Sequence, residues 1–497
     1  MKTFTFLLVA FFVVLSPIQA QWNQIGQDID GEAEYDQSGW SVSLNSDGSV
    51  VAIGAPENDG GGLSLGQVRI YHNLNGSWVQ TGQSLYGNEN YDEFGISVSL
   101  NSDGSVVAVG APNYDITNAS YAGVVFIYKN INGNWEQYGD SITGKTPFEY
   151  AGTSVSLSSD GNIVAIGVPW NCGNGEFAGQ VRVYGITNGI WTQIGQDIDG
   201  EATYDYSGYS ISLSSDGSVV AIGAYGNTGN GLNAGQVRVY RNVNGTWIQT
   251  GQDIDGEAEG DYSGWSVSLS ADGSVVAIGA MFNDGNGTDA GHVRVYKNIN
   301  ETWIQMGQDI DGEEANDQSG RAVSINSDGT IVAVGAPYNN GSTGQESGQV
   351  RIYKYTDGNW IQIGQDVDGE TEYNDFGKSV SLSSDGFIMA AGAPYNCDNG
   401  INAGHVRVFE YPSTQVPEIL NPEIVVYPNP TKGFFKIEST NVETGKVTIC
   451  DVTGKVLIET GKELFDKTYD LSDFNKGMYI LKIQLDNKIV TTGIIKY

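Results

Sequence analysis

Residues 39–56 read Gly-Trp-Ser-Val-Ser-Leu-Asn-Ser-Asp-Gly-Ser-Val-Val-Ala-Ile-Gly-Ala-Pro, and close variants of this stretch occur seven times along the chain. Two short apolar runs flank an Asp-Gly pair, which favours a tight β-hairpin because both residues tolerate positive φ. A tryptophan recurs in phase with the stretch, at spacings of 56 or 57 residues. The seven tryptophans are Trp22, Trp78, Trp135, Trp191, Trp247, Trp303 and Trp360.

Each repeat contains four short apolar runs, and none of them is as long as a typical helix. Seven such units predict an all-β fold, a seven-bladed β-propeller spanning residues 21–411. The first repeat begins with the Trp22 run, which is the outermost strand of the other repeats, and the last repeat ends after its third run. We therefore predict that the N-terminal strand completes the last blade and closes the ring.

The composition narrows the class of protein. The 497 residues carry a formal net charge of −35, which repels phosphate backbones, so no nucleic-acid partner is expected. An aromatic content of 11% with only 17% charged residues argues against disorder. The three histidines, His72, His292 and His405, show no spacing typical of a metal site or a catalytic triad. Cys172 and Cys397 occupy equivalent loops of different blades, too far apart for a disulfide.

The two ends of the chain carry other signals. Residues 1–20 combine Lys2, an apolar run and a small-residue cleavage motif, which is typical of a signal peptide. No later stretch approaches the ~20 apolar residues of a transmembrane helix. Residues 412–425 are rich in proline and predict a linker. Residues 426–497 contain short alternating apolar runs, which predict a small antiparallel β-sandwich.

The inner half of each repeat, as in Phe94-Gly95 through Gly110-Ala111-Pro112, resembles the FG-GAP repeat of integrin α-subunit propellers and many bacterial surface proteins. The resemblance covers roughly residues 21–411 and implies a propeller. That family often carries a calcium loop with several carboxylates between its first two strands. Here the loop has one carboxylate per blade, and calcium takes six or more oxygen ligands, so those calcium sites are not transferred and no cofactor is assigned.

The C-terminal segment opens with Tyr427-Pro-Asn-Pro-Thr-Lys-Gly433 and continues through Gly477-Met-Tyr479. It resembles the type A C-terminal sorting domain of the type IX secretion system. The resemblance implies that residues 426–497 contact the secretion machinery. It also implies that the protein reaches the medium or the outer cell surface of a Gram-negative bacterium.

Acidic residues recur between the outer strand of one blade and the inner strand of the next. Five repeats carry Asp-x-Asp-Gly-Glu, and these acids either bind a cation such as calcium or cap turns and pair with an arginine of the third strand. We favour the structural interpretation. The metal candidates are Asp28, Asp30, Glu32, Asp197, Asp199, Glu201, Asp253, Asp255 and Glu257. A further acid follows in all seven repeats, at Asp36, Asp92, Glu149, Asp205, Asp261, Asp317 and Asp375.

The exceptions to this pattern point both ways. The second blade has Phe126 in place of the arginine, and its outer strand has Ser141 and Thr143 in place of both aspartates, which suggests an Arg–Asp pair inside a blade. The first blade contradicts this, because it keeps Arg69 although its outer strand carries Ser84 and Tyr86. The third-strand arginines are Arg69, Arg182, Arg238, Arg294, Arg351 and Arg407.

Aromatic residues at the start of three inner strands suggest a ligand surface. Trp40, Tyr209 and Trp265 vary in an otherwise uniform stretch, and aromatic rings beside carboxylates suit stacking on sugars. Ordinary packing is the alternative. The predicted ligand surface comprises Trp40, Tyr209, Trp265, Asp36, Asp205 and Asp261.

From these features we predict a secreted or surface-anchored, non-enzymatic binding or adhesion protein whose propeller recognises a glycan or protein ligand. A polysaccharide hydrolase or lyase using carboxylates is the competing class, and a structural surface component without a specific ligand is a third. An active site normally needs one unusual blade with a paired acid and base, whereas these acids recur around the ring.

Overall fold

The computed structural model describes residues 20–412, 424–427, 431–439, 444–451, 455–464, 468–484 and 489–496. The predicted signal peptide, except for its last residue, and most of the predicted linker lie outside the described residues. The described residues form strands and turns, and none of them belongs to a helix that could cross a membrane. By internal contacts the chain divides into two units, Met1–Pro412 and Ser413–Tyr497.

The first unit consists of seven antiparallel sheets, the blades, each built in the order inner, second, third and outer strand. The inner strands are Ser41–Leu44, Ser97–Leu100, Ser154–Leu157, Ser210–Leu213, Ser266–Leu269, Ala322–Ile325 and Ser379–Leu382. The second strands are Val50–Ala55, Val106–Ala111, Ile163–Val168, Val219–Ala224, Val275–Ala280, Ile331–Ala336 and Ile388–Ala393. The third strands are Gln67–Asn73, Val124–Ile131, Gln180–Thr187, Gln236–Val243, His292–Asn298, Gln349–Thr356 and His405–Glu410.

The outer strand differs from the predicted single run, because it is split into two segments that both pair with the third strand. Its first segments are Trp78–Gln80, Asn134–Gln137, Ile190–Gln193, Thr246–Gln249, Trp303–Gln305, Asn359–Gln362 and, for the seventh blade, Asn23–Gln24. Its second segments are Leu85–Tyr86, Ile142–Thr143, Ile198–Asp199, Ile254–Asp255, Ile310–Asp311, Val367–Asp368 and Ile29–Asp30.

The interruption makes room for the next blade. Gly251 lies in it with φ +77°, and a Cβ at that position would come within 2.8 Å of the ring of Trp303 in the neighbouring outer strand. A glycine is therefore required there by both its backbone conformation and the close approach of the ring.

The N-terminal strand completes the seventh blade, as the sequence predicts. Asn23 pairs with Glu410 and Gln24 with Phe409, and further along Ile29 pairs with Val406. The first and last strands of the propeller thus share one sheet, which removes two exposed sheet edges.

Two sets of hydrogen bonds run around the whole ring. At the inner hairpins, backbone N–H groups donate to the carbonyl of the next blade over 2.8–3.0 Å, and the seven bonds form a closed circle through Ser46, Ser102, Ser159, Ser215, Ala271, Ser327 and Ser384. At the periphery, each repeated tryptophan donates its Nε1–H to a carbonyl of the preceding outer strand over 2.6–3.0 Å. The apolar core lies between neighbouring sheets, as where Val181 of the third blade packs with Ile211 and Val220 of the fourth.

The second unit contains two sheets. One consists of Ile424–Tyr427, Phe434–Ser439 and Thr468–Asp470, and the other of Val456–Leu464, Thr444–Asp451, Gly477–Gln484 and Ile489–Lys496. Both contribute to one buried cluster, in which Phe435 and Tyr469 of the first sheet join Val447, Leu481 and Ile494 of the second. The two sheets sharing this core form the small sandwich that the sequence predicts.

Candidate functional site

The repeated acid that follows the Asp-Gly-Glu motif is a buried turn cap. Asp36 is 2% exposed, and its Oδ2 accepts hydrogen bonds from the backbone N–H groups of Glu32 and Ala33 over 3.1 and 2.9 Å. Asp205 is 2% exposed and accepts both equivalent bonds, and Asp261 is 3% exposed and accepts one of them, from the N–H of Ala258. The prediction that Asp36, Asp205 and Asp261 contribute to an exposed ligand surface is therefore wrong, because their buried carboxylates accept hydrogen bonds within the turns.

The seventh blade breaks this series. Asn374, which is 1% exposed, occupies the buried position that the acid takes in the other blades. Asp375 follows it with φ +53°, in the place of Gln37 and Tyr206, which share that positive φ. The predicted ring of seven acids therefore has six members, and Asp375 has a separate environment described below.

The third-strand arginine binds the connection that enters its blade from the preceding one. Nη2 of Arg238 donates to the carbonyl of Asp199 over 2.8 Å, and Nη1 lies 3.6 Å from Oε1 of Glu201. The same pair of contacts joins Arg294 to Asp255 and Glu257. These contacts favour the structural interpretation of the acids, and they lie between blades rather than within one.

This geometry resolves the two exceptions. The segment that enters the second blade carries Ser84 and Tyr86, so that blade lacks both the acids and the arginine, and Phe126 packs on Phe94 at 5.9 Å instead. The segment that enters the third blade has lost its acids as well, and Arg182 binds Glu149, with N–O distances of 3.1 and 3.0 Å. Across the blade boundary, the arginine and the acids are lost together in the second blade, whereas the third blade keeps its arginine, which takes Glu149 as its partner.

The remaining predicted metal candidates have partners of their own. Asp197 lies 3.1 Å from Nζ of Lys145, and Oδ1 of Asp253 accepts from Gln249. The three inner aspartates of the motif, Asp30, Asp199 and Asp255, give their carbonyls to the arginines. Among them, burial, reinforced by Asp28 and Asp398, raises the pKa of Asp30. Glu32 accepts from Gln67 over 2.6 Å, and Asp28 is taken up below.

The blades differ strongly at the mouth of the central channel where the inner strands begin, called the upper mouth here. A cavity of about 280 Å³ lies there, lined by the first residues of the inner strands. The seven equivalent positions carry Trp40, Ile96, Thr153, Tyr209, Trp265, Arg321 and Lys378. At the opposite end a cavity of about 150 Å³ is lined mainly by leucine, serine and asparagine.

Aromatic side chains of the fourth and fifth blades form one half of the mouth. The rings of Tyr209 and Trp265 lie 4.6 Å apart, and Tyr225 contacts both at 4.7 and 5.0 Å. All three are half-buried, so each retains an exposed part. Tyr225 was missed by the sequence reasoning, although its replacement of the proline in Gly-Ala-Pro marks it in an alignment of the repeats.

Cations of the sixth and seventh blades form the other half. The guanidinium of Arg321 lies 5.4 Å from the ring centre of Trp265, and Nζ of Lys378 lies 4.7 Å from that of Trp40. Burial lowers the pKa of Lys378 to about 8, with Arg321 adding to the effect and Asp375 opposing it. Burial likewise raises the pKa of Asp375 to about 6, against the pull of Lys378 and Arg321.

The mouth therefore joins exposed aromatic rings to two basic groups within a strongly acidic protein. The structure separates the predicted aromatic residues into a pair, Tyr209 and Trp265, and a single residue, Trp40, beside Lys378. Rings of this kind stack on sugars, and the cations suit carboxylate or sulfate groups.

Family models match part of the first unit and nearly all of the second. A family model for the FG-GAP repeat matches residues 254–296, and one for the secretion system C-terminal sorting domain matches residues 425–497. Among curated proteins, phosphatidylinositol-glycan-specific phospholipase D of Dictyostelium discoideum is 30% identical over 206 residues, which cover 36% of this chain and 20% of that protein. The chain thus matches only a fifth of the length of that relative.

Solved structures with a similar fold are distant in sequence. The periplasmic gluconolactonase PpgL of Pseudomonas aeruginosa gives a TM-score of 0.46 at 16% identity, covering 67% of this chain and 85% of that one. The Dos1 propeller gives 0.43 at 13% identity, covering 79% and 95%. With the blades and both family matches in view, the chain is a β-propeller protein that contains an FG-GAP repeat and a C-terminal sorting domain of the type IX secretion system, and it is exported to the cell surface or the medium.

Proposed function

We propose that this exported propeller is a non-enzymatic binding protein whose upper channel mouth recognises an acidic carbohydrate. The observation that carries the proposal is the strong variation of one repeated position at that mouth. Seven equivalent positions there hold residues as different as Trp265, Arg321 and Thr153, whereas the Ser-Val-Ser-Leu residues that follow scarcely change. Structural repeats diverge where each copy has its own contact to make.

The ligand class follows from the chemistry of the mouth. The exposed parts of Tyr209, Tyr225 and Trp265 offer apolar faces for sugar rings. Arg321 and Lys378 offer donors for carboxylate or sulfate groups, and a net charge of −35 elsewhere would repel the same ligand. An acidic polysaccharide satisfies both halves of the mouth.

The test compares variants whose new residues already occur in other blades. Trp265→Thr copies Thr153, Arg321→Thr places the same residue in the sixth blade, and Ser215→Ala at the opposite opening copies Ala271. Purified variants would be titrated with neutral and acidic oligosaccharides selected on a glycan array. We expect Trp265→Thr to lose about 1 kcal/mol of binding free energy, roughly fivefold in affinity. Arg321→Thr should remove the preference for acidic over neutral sugars.

Ser215→Ala should leave binding unchanged, because its backbone rather than its hydroxyl forms the inner ring. Equal losses from Ser215→Ala and Trp265→Thr, or binding of no oligosaccharide at all, would contradict the proposal. Release of shorter sugars from the bound oligosaccharide would instead favour the hydrolase or lyase class.

A further inference from the structure

We propose that Asp28, Glu370, Asp398 and His405 form a binding site for a divalent transition-metal ion of the Zn²⁺ class at the blade that closes the ring. One ligand atom from each of the four side chains lies within 4.8 Å of all the others. The site is independent of the channel mouth and of the carbohydrate proposal. It also differs from an all-oxygen calcium loop, since it includes an imidazole.

The second observation is the state of His405 itself. Its side chain is 0% exposed, and neither Nδ1 nor Nε2 has a hydrogen-bond partner among the described residues. A buried polar group is normally hydrogen-bonded. The imidazole of His405 lies beside three carboxylates and makes no such bond, so its nitrogen lone pair has no electropositive partner.

The other blades show what normally fills this place. Glutamine occupies the position of His405 in four of them, and its amide donates to the neighbouring carboxylate, as Gln67 does to Glu32 and Gln180 does to Asp199, both over 2.6 Å. In the seventh blade the amide donor has been replaced by an imidazole that makes no such bond. The glutamines are Gln67, Gln180, Gln236 and Gln349.

The carboxylates around His405 also exceed those of the other blades. Asp398 stands where the third to sixth blades have glycine, at Gly173, Gly229, Gly285 and Gly341. Oδ2 of Asp398 accepts one bond from Asn396 over 3.1 Å, and Oε1 of Glu370 lies 3.6 Å from Arg407. Further carboxylate oxygens remain available to an ion on Asp28, Glu370 and Asp398. The one guanidinium beside them, that of Arg407, does not neutralise three carboxylate charges.

The four residues come from four different segments. Asp28 lies between the two halves of the closing strand, Glu370 in the connection from the sixth blade, Asp398 in the loop after the second strand, and His405 in the third strand. A bound ion would therefore tie the N-terminal strand to the rest of the seventh blade.

The fifth blade contains a reduced version of the same arrangement. There Glu257, His292 and Asp309 bring their ligand atoms within 4.8 Å, but Gly285 takes the place of the fourth ligand. We expect this site to bind the same ion more weakly.

The experiment titrates ZnCl₂ into the full secreted protein, prepared without a polyhistidine tag and stripped with a chelator, by calorimetry and by thermal unfolding. His405→Gln and Asp398→Gly restore residues that other blades carry, so both variants should fold. We expect each to weaken the tightest zinc site at least about tenfold and to reduce the zinc-induced rise in Tm to what the weaker fifth-blade site contributes. Cys397→Ser, which removes the adjacent thiol, should bind as the parent does.

Three results would overturn the assignment. The first is a parent protein that binds no zinc, or binds it equally well after His405→Gln and Asp398→Gly. The second is complete displacement of zinc by excess CaCl₂, which would mark an all-carboxylate site. The third is loss of zinc binding in Cys397→Ser, which would assign the site to the thiol.

Discussion

The indole Nε1 of Trp22 donates to the carbonyl oxygen of Ile363 over 3.0 Å, although 341 residues separate them in sequence. Every other repeated tryptophan makes this bond to the outer strand just before it, as Trp247 does to Ile194 over 2.8 Å. The junction between the two ends of the propeller is therefore built from the same contact as the six continuous junctions.

Deleting residues 21–30 should destabilise the propeller. Trp22 and Ile29 are each 3% exposed, and burial of one such side chain contributes about 1.5–3 kcal/mol, so their joint loss should cost at least about 3 kcal/mol. Urea unfolding of the deletion variant and of the parent would measure the difference. An unchanged free energy of unfolding would show that the seventh blade does not depend on the N-terminal strand.

Glu149→Gln should be strongly destabilising. The side chains of Glu149 and Arg182 are 2% and 3% exposed, and removing one charge of such a pair leaves the other buried without compensation, at a cost of about 3–5 kcal/mol. Glu201→Gln is the matched control, because Glu201 is 44% exposed beside Arg238 and its pair should contribute less than about 1 kcal/mol. Equal effects of the two substitutions in urea unfolding would disprove this ranking.

The same carboxylate predicts sensitivity to acid. Burial tends to raise the pKa of Glu149, but hydrogen bonds from Arg182 and from the Lys145 backbone outweigh it and lower the pKa below its ordinary 4.5. The contribution is therefore complete above about pH 4.5 and is lost as the pH falls through the lowered pKa. The gap in stability between the parent and Glu149→Gln should narrow below pH 4.5, and a constant gap would refute the assignment.

Binding of an acidic oligosaccharide should weaken as the pH rises through about 8. Burial and Arg321 lower the pKa of Lys378 to about 8, so its positive charge is present at pH 7 and is lost at pH 9. The guanidinium of Arg321 is a second donor in the mouth, so some affinity should remain. In Lys378→Arg the decline should disappear, and a decline that persists in this variant would assign the pH dependence to another group.

Removal of the chain after Pro412 should stop export without unfolding the propeller. Residues 425–497 match the sorting domain, and the two units have separate cores. We expect the shortened protein to stay in the periplasm with the same Tm as the propeller in the full chain, measured after cell fractionation. The same amount of shortened and full-length protein in the medium would contradict the role of the domain.

The repeat explains how much of the fold is visible in the sequence. Seven tryptophans at a nearly constant spacing predict the blade count, and the position of Trp22 within its repeat predicts the closing strand. Both predictions depend only on the position of a residue within the repeat. The sequence suggests an Arg–Asp pair inside a blade, whereas Arg238 contacts Glu201 across a blade boundary, which spacing within one repeat does not reveal. Asp375 was placed one residue away from its true equivalent because Asn374 has replaced the acid.

The two candidate sites show a similar division. The variable inner-strand positions, including Trp265 and Lys378, can be read from an alignment of the repeats. The group around His405 cannot, because Asp28 and Asp398 are brought together only when the ring closes. Its one sequence signal is the exchange of a repeated glutamine for His405 and of a repeated glycine for Asp398.

The circle of backbone bonds through Ser46 and Ser384 also has an evolutionary consequence. Main-chain atoms hold the blades together at that end, so a mutation at the opposite opening leaves those bonds intact. During evolution, a single residue such as Thr153 or Trp265 can therefore be exchanged and the recognised ligand altered, while the circle of backbone hydrogen bonds is inherited unchanged.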